Sequence, residues 1–281
     1  MMCRMPLQRL ARCALAAALS AGLLVGCGDD GEISRPVPPE QLTGVDTDQP
    51  ARQVLARAVA RLRKRDTGTF NAAIGANRDS GRFRLSARSA VVTRTVSAGS
   101  TTAFSDSART PGGVWLRVRT PAVNEKRACW VRSGDALGET TGGIPGAYAG
   151  AVGAALTARG RRWDREEIVG SVNLAQAMLT VDLGITQSLR VAAVPDARVP
   201  ASFLVRDGEL LGWRTTGAQL LGAMAKAGLK ADGELEAFGA LDESTIDVQF
   251  ADLGLEVDVS APAPDRVIAA QHAWLSPLPP E

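Results

Sequence analysis

Side chains able to do acid–base or nucleophilic chemistry are few in this sequence of 281 residues. The one histidine, His272, lies in the C-terminal stretch AAQHAWLSPLPPE, where a catalytic triad would lack partners held in a stable pocket. The acidic pairs Asp29-Asp30 and Glu166-Glu167 are adjacent, and adjacent side chains point apart in regular structure. No zinc-protease, nucleophile-elbow or phosphate-loop motif occurs. We therefore predict no catalytic residue, no metal site and no cofactor, and hence a protein that is not an enzyme.

Cys27 is the residue whose position points most directly to chemistry. Residues 1–12 carry three arginines, and residues 13–26 are an apolar run too short to span a membrane comfortably. The run ends in Leu24-Val25-Gly26-Cys27, which resembles the bacterial lipobox, where the cysteine sulfur receives a diacylglycerol and the chain is cut before it. We predict a signal peptide over 1–26 and an acyl anchor on Cys27, which would hold the protein on the extracytoplasmic face of the cell membrane. The alternative is an ordinary secretion signal with a stray cysteine.

The remaining cysteine and the net charge follow from this processing. Cys3 and Cys13 would leave with the signal peptide and Cys27 would be acylated, so Cys129 could form no internal disulfide. We interpret Cys129, within RACWVR, as a small buried residue of a strand; a reactive thiol is the alternative. Loss of three arginines leaves 29 basic against 30 acidic residues, a near-neutral chain with nothing that favours a nucleic-acid partner.

The rest of the chain divides into a tether, a folded domain and a tail. Residues 27–50 contain four prolines and no hydrophobic periodicity, which is typical of a disordered tether. Residues 51–270 form the domain, and residues 271–281 a Pro-rich tail. Helical periodicity starts near residue 50 and recurs over 147–158, 174–189 and 217–229. Alternation predicts strands near 83–88, 115–119 and 127–132, a hairpin over 201–215 that turns at Asp207-Gly208, and a strand pair over 246–259. The pattern predicts an α+β fold, a curved antiparallel sheet with helices on one face.

Three local stretches resemble a known family: WDREEIVGSVNLAQAML, VPASFLVRDGELLGWR and FADLGLEVDVSAPAPDRVI, together with the lipobox, the tether and a helix near Ala51–Arg65. The chain is similar to the LppX/LprA/LprF/LprG-like lipoproteins of actinobacteria, which are related in fold to the LolA and LolB lipoprotein carriers. The resemblance implies a half-barrel, a strongly curved antiparallel sheet with helices on its concave face. It also implies a hydrophobic cavity that binds acyl chains or glycolipids.

We therefore expect a monomeric envelope lipoprotein that binds or transfers lipid. The candidate cavity-lining residues are Ile168, Leu174, Met178, Val181, Ile185, Phe203, Leu220, Met224, Ile246, Val248 and Phe250. An anchored adaptor or sensor that holds a protein partner and has a filled core is the alternative, and an envelope hydrolase is a third possibility.

Overall fold

The computed structural model describes residues 47–75, 77–98, 101–119, 129–133, 150–181, 196–228 and 242–268. These residues form four α-helices: α1 Ala51–Arg65, α2 Gly150–Leu156, α3 Leu174–Val181 and α4 Gly217–Lys226. They also form twelve strands: β1 Thr67–Ile74, β2 Asn77–Arg84, β3 Ser89–Ala98, β4 Thr101–Thr110, β5 Gly113–Arg119, β6 Trp130–Ser133, β7 Arg159–Asp164, β8 Glu167–Asn173, β9 Arg198–Arg206, β10 Glu209–Thr216, β11 Thr245–Ala251 and β12 Val267–Ile268. The predicted α+β class is confirmed.

The twelve strands make one sheet in the order β12-β6-β5-β4-β3-β2-β1-β11-β10-β9-β8-β7, which is not closed into a barrel. Two meanders, β1 to β6 and β7 to β11, are joined where β1 pairs with β11, with Phe70 opposite Phe250. Neighbouring strands are antiparallel except β12 and β6, which run parallel with Val267 opposite Trp130. The sheet is therefore mixed, and the prediction of a wholly antiparallel sheet is wrong at this edge.

One face of the sheet carries a row of apolar side chains across five strands. Ala72 lies opposite Val248, Val248 opposite Trp213, Trp213 opposite Phe203, and Phe203 opposite Ile168. Directly opposed residues point to the same side of a sheet, so these five side chains share a face. All five are buried and belong to one hydrophobic cluster with residues of the four helices. We call this shared apolar face the floor of the core.

Helix α1 forms because its apolar residues recur at helical spacing between arginines. Pro50 O accepts hydrogen bonds from Gln53 N and Val54 N, and three basic residues occupy the last turn, where cations suit the helix dipole. The buried residues are Ala51, Val54, Leu55, Ala58, Val59 and Leu62, so the predicted helix and its apolar face are confirmed. Arg61 Nη1 donates to Asp207 O at 2.5 Å, which ties α1 to the β9–β10 turn.

Helices α2 and α3 approach each other closely at glycines. A Cβ added to Gly150 would overlap the backbone at Thr180, and one added to Gly153 would overlap the Gln176 amide. Helix α4 begins with a capping box, in which Thr216 Oγ1 accepts from Gln219 N and Gln219 Oε1 accepts from Thr216 N. Short helices of small residues can therefore lie close to one another above the apolar face.

The predicted hairpin is confirmed, whereas half of the last strand pair is wrong. Asp207 and Gly208 have φ of 50° and 71°, as a two-residue turn between β9 and β10 requires. Residues 255–259 form no strand. After β11 the chain leaves the sheet: Gly254 N donates to Thr67 O at 2.8 Å, and Arg84 Nη2 donates to Val257 O at 3.1 Å. The alternating apolar residues of 255–259 therefore do not mark a strand. Val257 is buried beside β2, whereas Leu255 is 59% exposed.

Every fully buried residue of the core cluster lies between Ala51 and Phe250. A chain that starts at Gly28 retains all of these residues. It is therefore expected to fold without residues 1–27.

Candidate functional site

The predicted cavity-lining residues lie together in the core. Ten of the eleven are described, and all ten belong to the single hydrophobic cluster between the sheet and the helices. Val181 is the most exposed of them at 8%, and seven of the ten are 0% exposed. Ile185 lies outside the described residues. The ten residues therefore lie in one contiguous interior that is almost wholly closed to water in this conformation.

Three short helices contribute side chains to this interior, and we call them the helical cover. Helices α2, α3 and α4 have the sequences GAVGAAL, LAQAMLTV and GAQLLGAMAK. Asn173 Oδ1 accepts from Gln176 N at the start of α3, and Trp213 Nε1 donates to Ala151 O at 2.9 Å. Gln176 is 2% exposed, and its Oε1 accepts no hydrogen bond. An unsatisfied buried acceptor costs about 1–3 kcal/mol, so the contact between α2 and α3 is not optimised for stability alone.

An ion pair continues the apolar row at its other end, and sequence reasoning missed it. Ala72 lies opposite Asp79, and Asp79 opposite Arg94, so both charged residues point to the same face as the core. Arg94 Nε and Nη2 donate to Asp79 Oδ1 and Oδ2 at 2.8 and 2.7 Å, and Nη2 also donates to Thr180 O at 3.0 Å. The Asp79–Arg94 pair therefore joins the sheet to the end of α3 and forms a polar rim beside the apolar interior. Asp79 and Arg94 lie among other polar residues of β2 and β3, so nothing in the sequence marked these two as core-facing.

A second charged cluster lies on the opposite face of the sheet. Ser105 lies opposite Arg94 on the neighbouring strand and therefore points to the same face as Arg94, toward the core. Successive residues of a strand point to opposite faces, so Asp106 points away from the core. Asp106 is 2% exposed. Its Oδ2 accepts from Arg117 Nε at 2.8 Å and from Arg119 Nε at 2.6 Å. Its Oδ1 accepts from Arg119 Nη2 at 2.9 Å and from Thr93 Oγ1 at 2.8 Å. Both carboxylate oxygens are therefore saturated.

This bonding sets the protonation of Asp106. Burial alone would raise its pKa, but hydrogen bonds from Arg119 and Thr93, with the charges of Arg117 and Arg119, outweigh burial and lower the pKa. The two guanidinium groups also lie over aromatic rings, Arg117 at 4.4 Å from the centre of Trp130 and Arg119 at 5.0 Å from that of Phe104. The Asp106 cluster is thus a fully bonded structural unit, with no lone pair directed at a ligand.

Cys129 differs from its prediction. It precedes β6, is half-buried and is disulfide-bonded, to a partner outside the described residues. The interpretation of Cys129 as a free, buried strand residue is therefore wrong. The other cysteines are Cys3, Cys13 and Cys27. If residues 1–26 are removed and Cys27 is acylated, as the sequence predicts, no such bond can form within the processed chain.

The remaining candidate groups form no site within the described residues. His272 and the pair Asp29-Asp30 lie outside the described residues. Glu166 and Glu167 are half-buried, and Glu167 Oε1 accepts from Arg214 Nη1 at 3.4 Å, which suits a surface ion pair. Within the described ranges, no group of three potential metal ligands is found, and no helix has the length and apolarity needed to cross a bilayer.

The described residues define an α+β protein with one apolar core to which sheet and helices both contribute, beside the Asp79–Arg94 ion pair. No protein-family model matches the chain, and no curated protein matches it either.

Proposed function

We propose that this protein is a membrane-anchored envelope lipoprotein that binds or transfers lipid acyl chains between its sheet and its helices. The observation that carries the proposal is the apolar sheet face over β8 to β11 and β1, covered by three short helices of mainly small and flexible residues. Acyl chains need apolar walls with few polar groups, because each unpaired buried polar group is costly. In this proposal the sheet curves into a half-barrel around the ligand.

The polar rim supports an amphiphile rather than a wholly apolar ligand. Asp79 and Arg94 continue the row of the apolar floor, one and two strands beyond its end on β1. A lipid with its acyl chains on the floor would place its headgroup beside these charges. The guanidinium of Arg94 is a suitable contact for a phosphate or a sugar hydroxyl.

Lipid uptake would require the helical cover to move. The ten described lining residues are at most 8% exposed, so the described conformation is closed to water at these side chains. The cover suits such movement, because α2 and α3 have only seven and eight residues, and the Gln176 amide between them has an unsatisfied oxygen. Met178 and Met224 can repack around chains of different shape.

The test is to purify the chain from Gly28 onward natively from bacteria and to identify co-purifying lipid by mass spectrometry. Val181→Trp would enlarge a side chain at the end of α3 beside the rim, and we expect it to lose most bound lipid. Leu255→Trp is the matched control, because Leu255 is exposed and outside the core. Thermal unfolding of both variants separates blocked binding from misfolding. A wild-type chain that purifies empty and binds no added lipid would contradict the proposal.

The adaptor with a filled core remains the second candidate, because burial of every described lining residue is what a filled core would also give. An adaptor needs an exposed apolar patch for its partner. Among the described residues only two large apolar side chains are exposed, Leu116 at 39% and Leu255 at 59%. An empty wild-type chain with full thermal stability would favour the adaptor.

The anchor is tested by Cys27→Ser. Serine cannot carry the thioether-linked lipid, and the tether separates Cys27 from α1, so we expect membrane retention to be lost while the domain stays folded. Inhibition of lipoprotein signal peptidase should shift the mass of the wild type only. Non-reducing mass analysis of the mature wild type should show Cys129 without an intramolecular bond. A serine variant that still sediments with membranes at the processed mass would show that the anchor prediction is wrong.

A further inference from the structure

Charge is distributed very unevenly over this chain. Without residues 1–26 the chain has 29 basic and 30 acidic residues and is nearly neutral. Helix α1 nevertheless carries six cations and no acid within 15 residues: Arg52, Arg57, Arg61, Arg63, Lys64 and Arg65. All six are exposed. The buried face of α1 packs in the core, so its outer face is a strongly positive surface.

Edge strand β7 extends this surface. A Cβ added to Gly160 would come within 3.1 Å of Ala51 O, and Trp163 Nε1 donates to Gln49 O at 2.7 Å, so the start of α1 lies against β7. Strand β7 has the sequence RGRRWD and is paired on one side only. We call the exposed cations of α1 and β7 the basic edge; those of β7 are Arg159, Arg161 and Arg162.

Some cations of the basic edge have structural partners and others do not. Arg63 Nη2 donates to Leu156 O at 2.8 Å, and Arg65 pairs with Glu209. By contrast, Arg52, Arg161 and Arg162 make no side-chain hydrogen bond or ion pair with the described part of the chain. Arg52 lies in the first turn of α1, where a cation opposes the helix dipole. None of the contacts described therefore gives these three side chains a role in stabilising the fold.

The crowding of positive charge is visible at a neighbouring residue. Arg198 Nε donates to Ser171 Oγ at 2.8 Å, and Ser171 lies opposite Arg159. Burial lowers the pKa of Arg198, and the nearby charges of Arg159 and Arg161 lower it further, opposed by Asp196. Like charges are thus held close together along this edge without enough acids to neutralise them. An anion that docks here would relieve that repulsion.

We propose that the basic edge docks on the anionic phospholipid headgroups of a membrane. Arginines on an edge strand can also prevent strand-to-strand aggregation, but that role does not account for six cations on a helix. Clustered basic residues near a membrane bind anionic lipid, with a contribution of about 1 kcal/mol for each one close to the surface. Helix α1 is the first described helix or strand after Cys27. The inference rests on the proposed function in one respect: the acyl anchor on Cys27 would bring α1 close to the membrane. It does not depend on lipid uptake into the core.

The test is sedimentation of the chain from Gly28 onward with vesicles of phosphatidylglycerol and phosphatidylcholine in equal amounts, or of phosphatidylcholine alone. We expect binding to the anionic vesicles at low salt and loss of binding at high salt. The variant Arg52→Gln/Arg161→Gln/Arg162→Gln should bind about fivefold more weakly per cation, and on the order of 100-fold more weakly in total.

The matched control removes the same charge elsewhere: Arg82→Gln/Arg88→Gln/Lys226→Gln, all exposed positions outside the basic edge. We expect less than threefold weakening from this control. Equal weakening by the two triple variants, or a wild type that does not sediment with anionic vesicles at low salt, would overturn the proposal. So would a single-stranded oligonucleotide that displaces the protein from the vesicles at equal charge, which would indicate a nucleic-acid site. Co-purified lipid should be unchanged in both variants, so failure of the core-binding proposal is distinguishable.

Discussion

Replacing Asp106 by asparagine removes the carboxylate that accepts hydrogen bonds from Arg117, Arg119 and Thr93. The guanidinium groups of Arg117 and Arg119, 9% and 17% exposed, then lose the charge of the Asp106 carboxylate. Removing one partner of a buried ion pair costs about 3–5 kcal/mol, and the partial exposure of Arg119 places the expected value near 3 kcal/mol. At roughly 2–4 °C per kcal/mol for a domain of this size, the melting temperature should fall by about 10 °C.

Thermal unfolding followed by circular dichroism measures this loss, with Asp247→Asn as the matched control. Asp247 pairs with Arg214, whose side chain is 51% exposed, and such surface pairs contribute roughly 0–1 kcal/mol. The control should therefore melt within about 3 °C of the wild type. Replacing Asp106 by leucine together with Arg117 and Arg119 by methionine should recover much of the lost stability, because no buried charge is left unpaired. If Asp106→Asn melts as the control does, the Asp106 cluster is not the buried unit described above.

Three further predictions concern stability. Because the pKa of Asp106 is lowered in the folded chain, the unfolded chain binds the proton more readily. The contribution of Asp106 to the free energy of unfolding is therefore complete above about pH 4 and is lost as pH falls through the native pKa. Acid unfolding of Asp106→Asn should lack this part of the stability loss. Gly150→Ala should destabilise the domain by about 1–3 kcal/mol, because the added Cβ has no room against α3. Gly222→Ala, with nothing within 4 Å, should stabilise α4 by roughly 0.5–1 kcal/mol. Urea unfolding should therefore give changes in the free energy of unfolding of opposite sign for the two variants, and equal signs would contradict the described contact between α2 and α3. Thr216→Ala removes the capping box of α4 and should cost about 1 kcal/mol in the same assay, and an unchanged midpoint would contradict the cap.

Local signals carried most of what the sequence predicted. Helix α1 and the Asp207-Gly208 hairpin were predictable because their periodicity and turn residues act within a few residues. The strand predicted near 83–88 is wrong, because residues 85–88 are the turn between β2 and β3. Strands β1, β4 and β7 were not predicted either. Their residues are small, polar or charged, and their burial comes from distant partners, as when Phe70 of β1 meets Phe250.

The candidate interior was predictable as a set of residues but not as a geometry. Apolar residues at regular spacing identify a core, and ten of them do share one. The same pattern cannot distinguish a filled interior from a ligand cavity, since both need the same walls. The polar features were missed for a related reason: Asp79 and Asp106 occupy buried positions only because arginines on neighbouring strands bond to them. That pairing depends on strand register, which a single sequence does not give.

The seam between β1 and β11 also governs the order in which the chain can fold. Strands β2 to β6 can pair as they are made, but β1 gains its second neighbour only about 180 residues later. The apolar face of α1 likewise waits for β7 and β10, so Leu55 and Leu62 stay uncovered while the first half of the chain is made. The N-terminal half therefore cannot complete its core until the second half has been made. If the chain is exported as we propose, this delay keeps the first half unfolded during translocation, and it would leave that half prone to aggregation if export stalled.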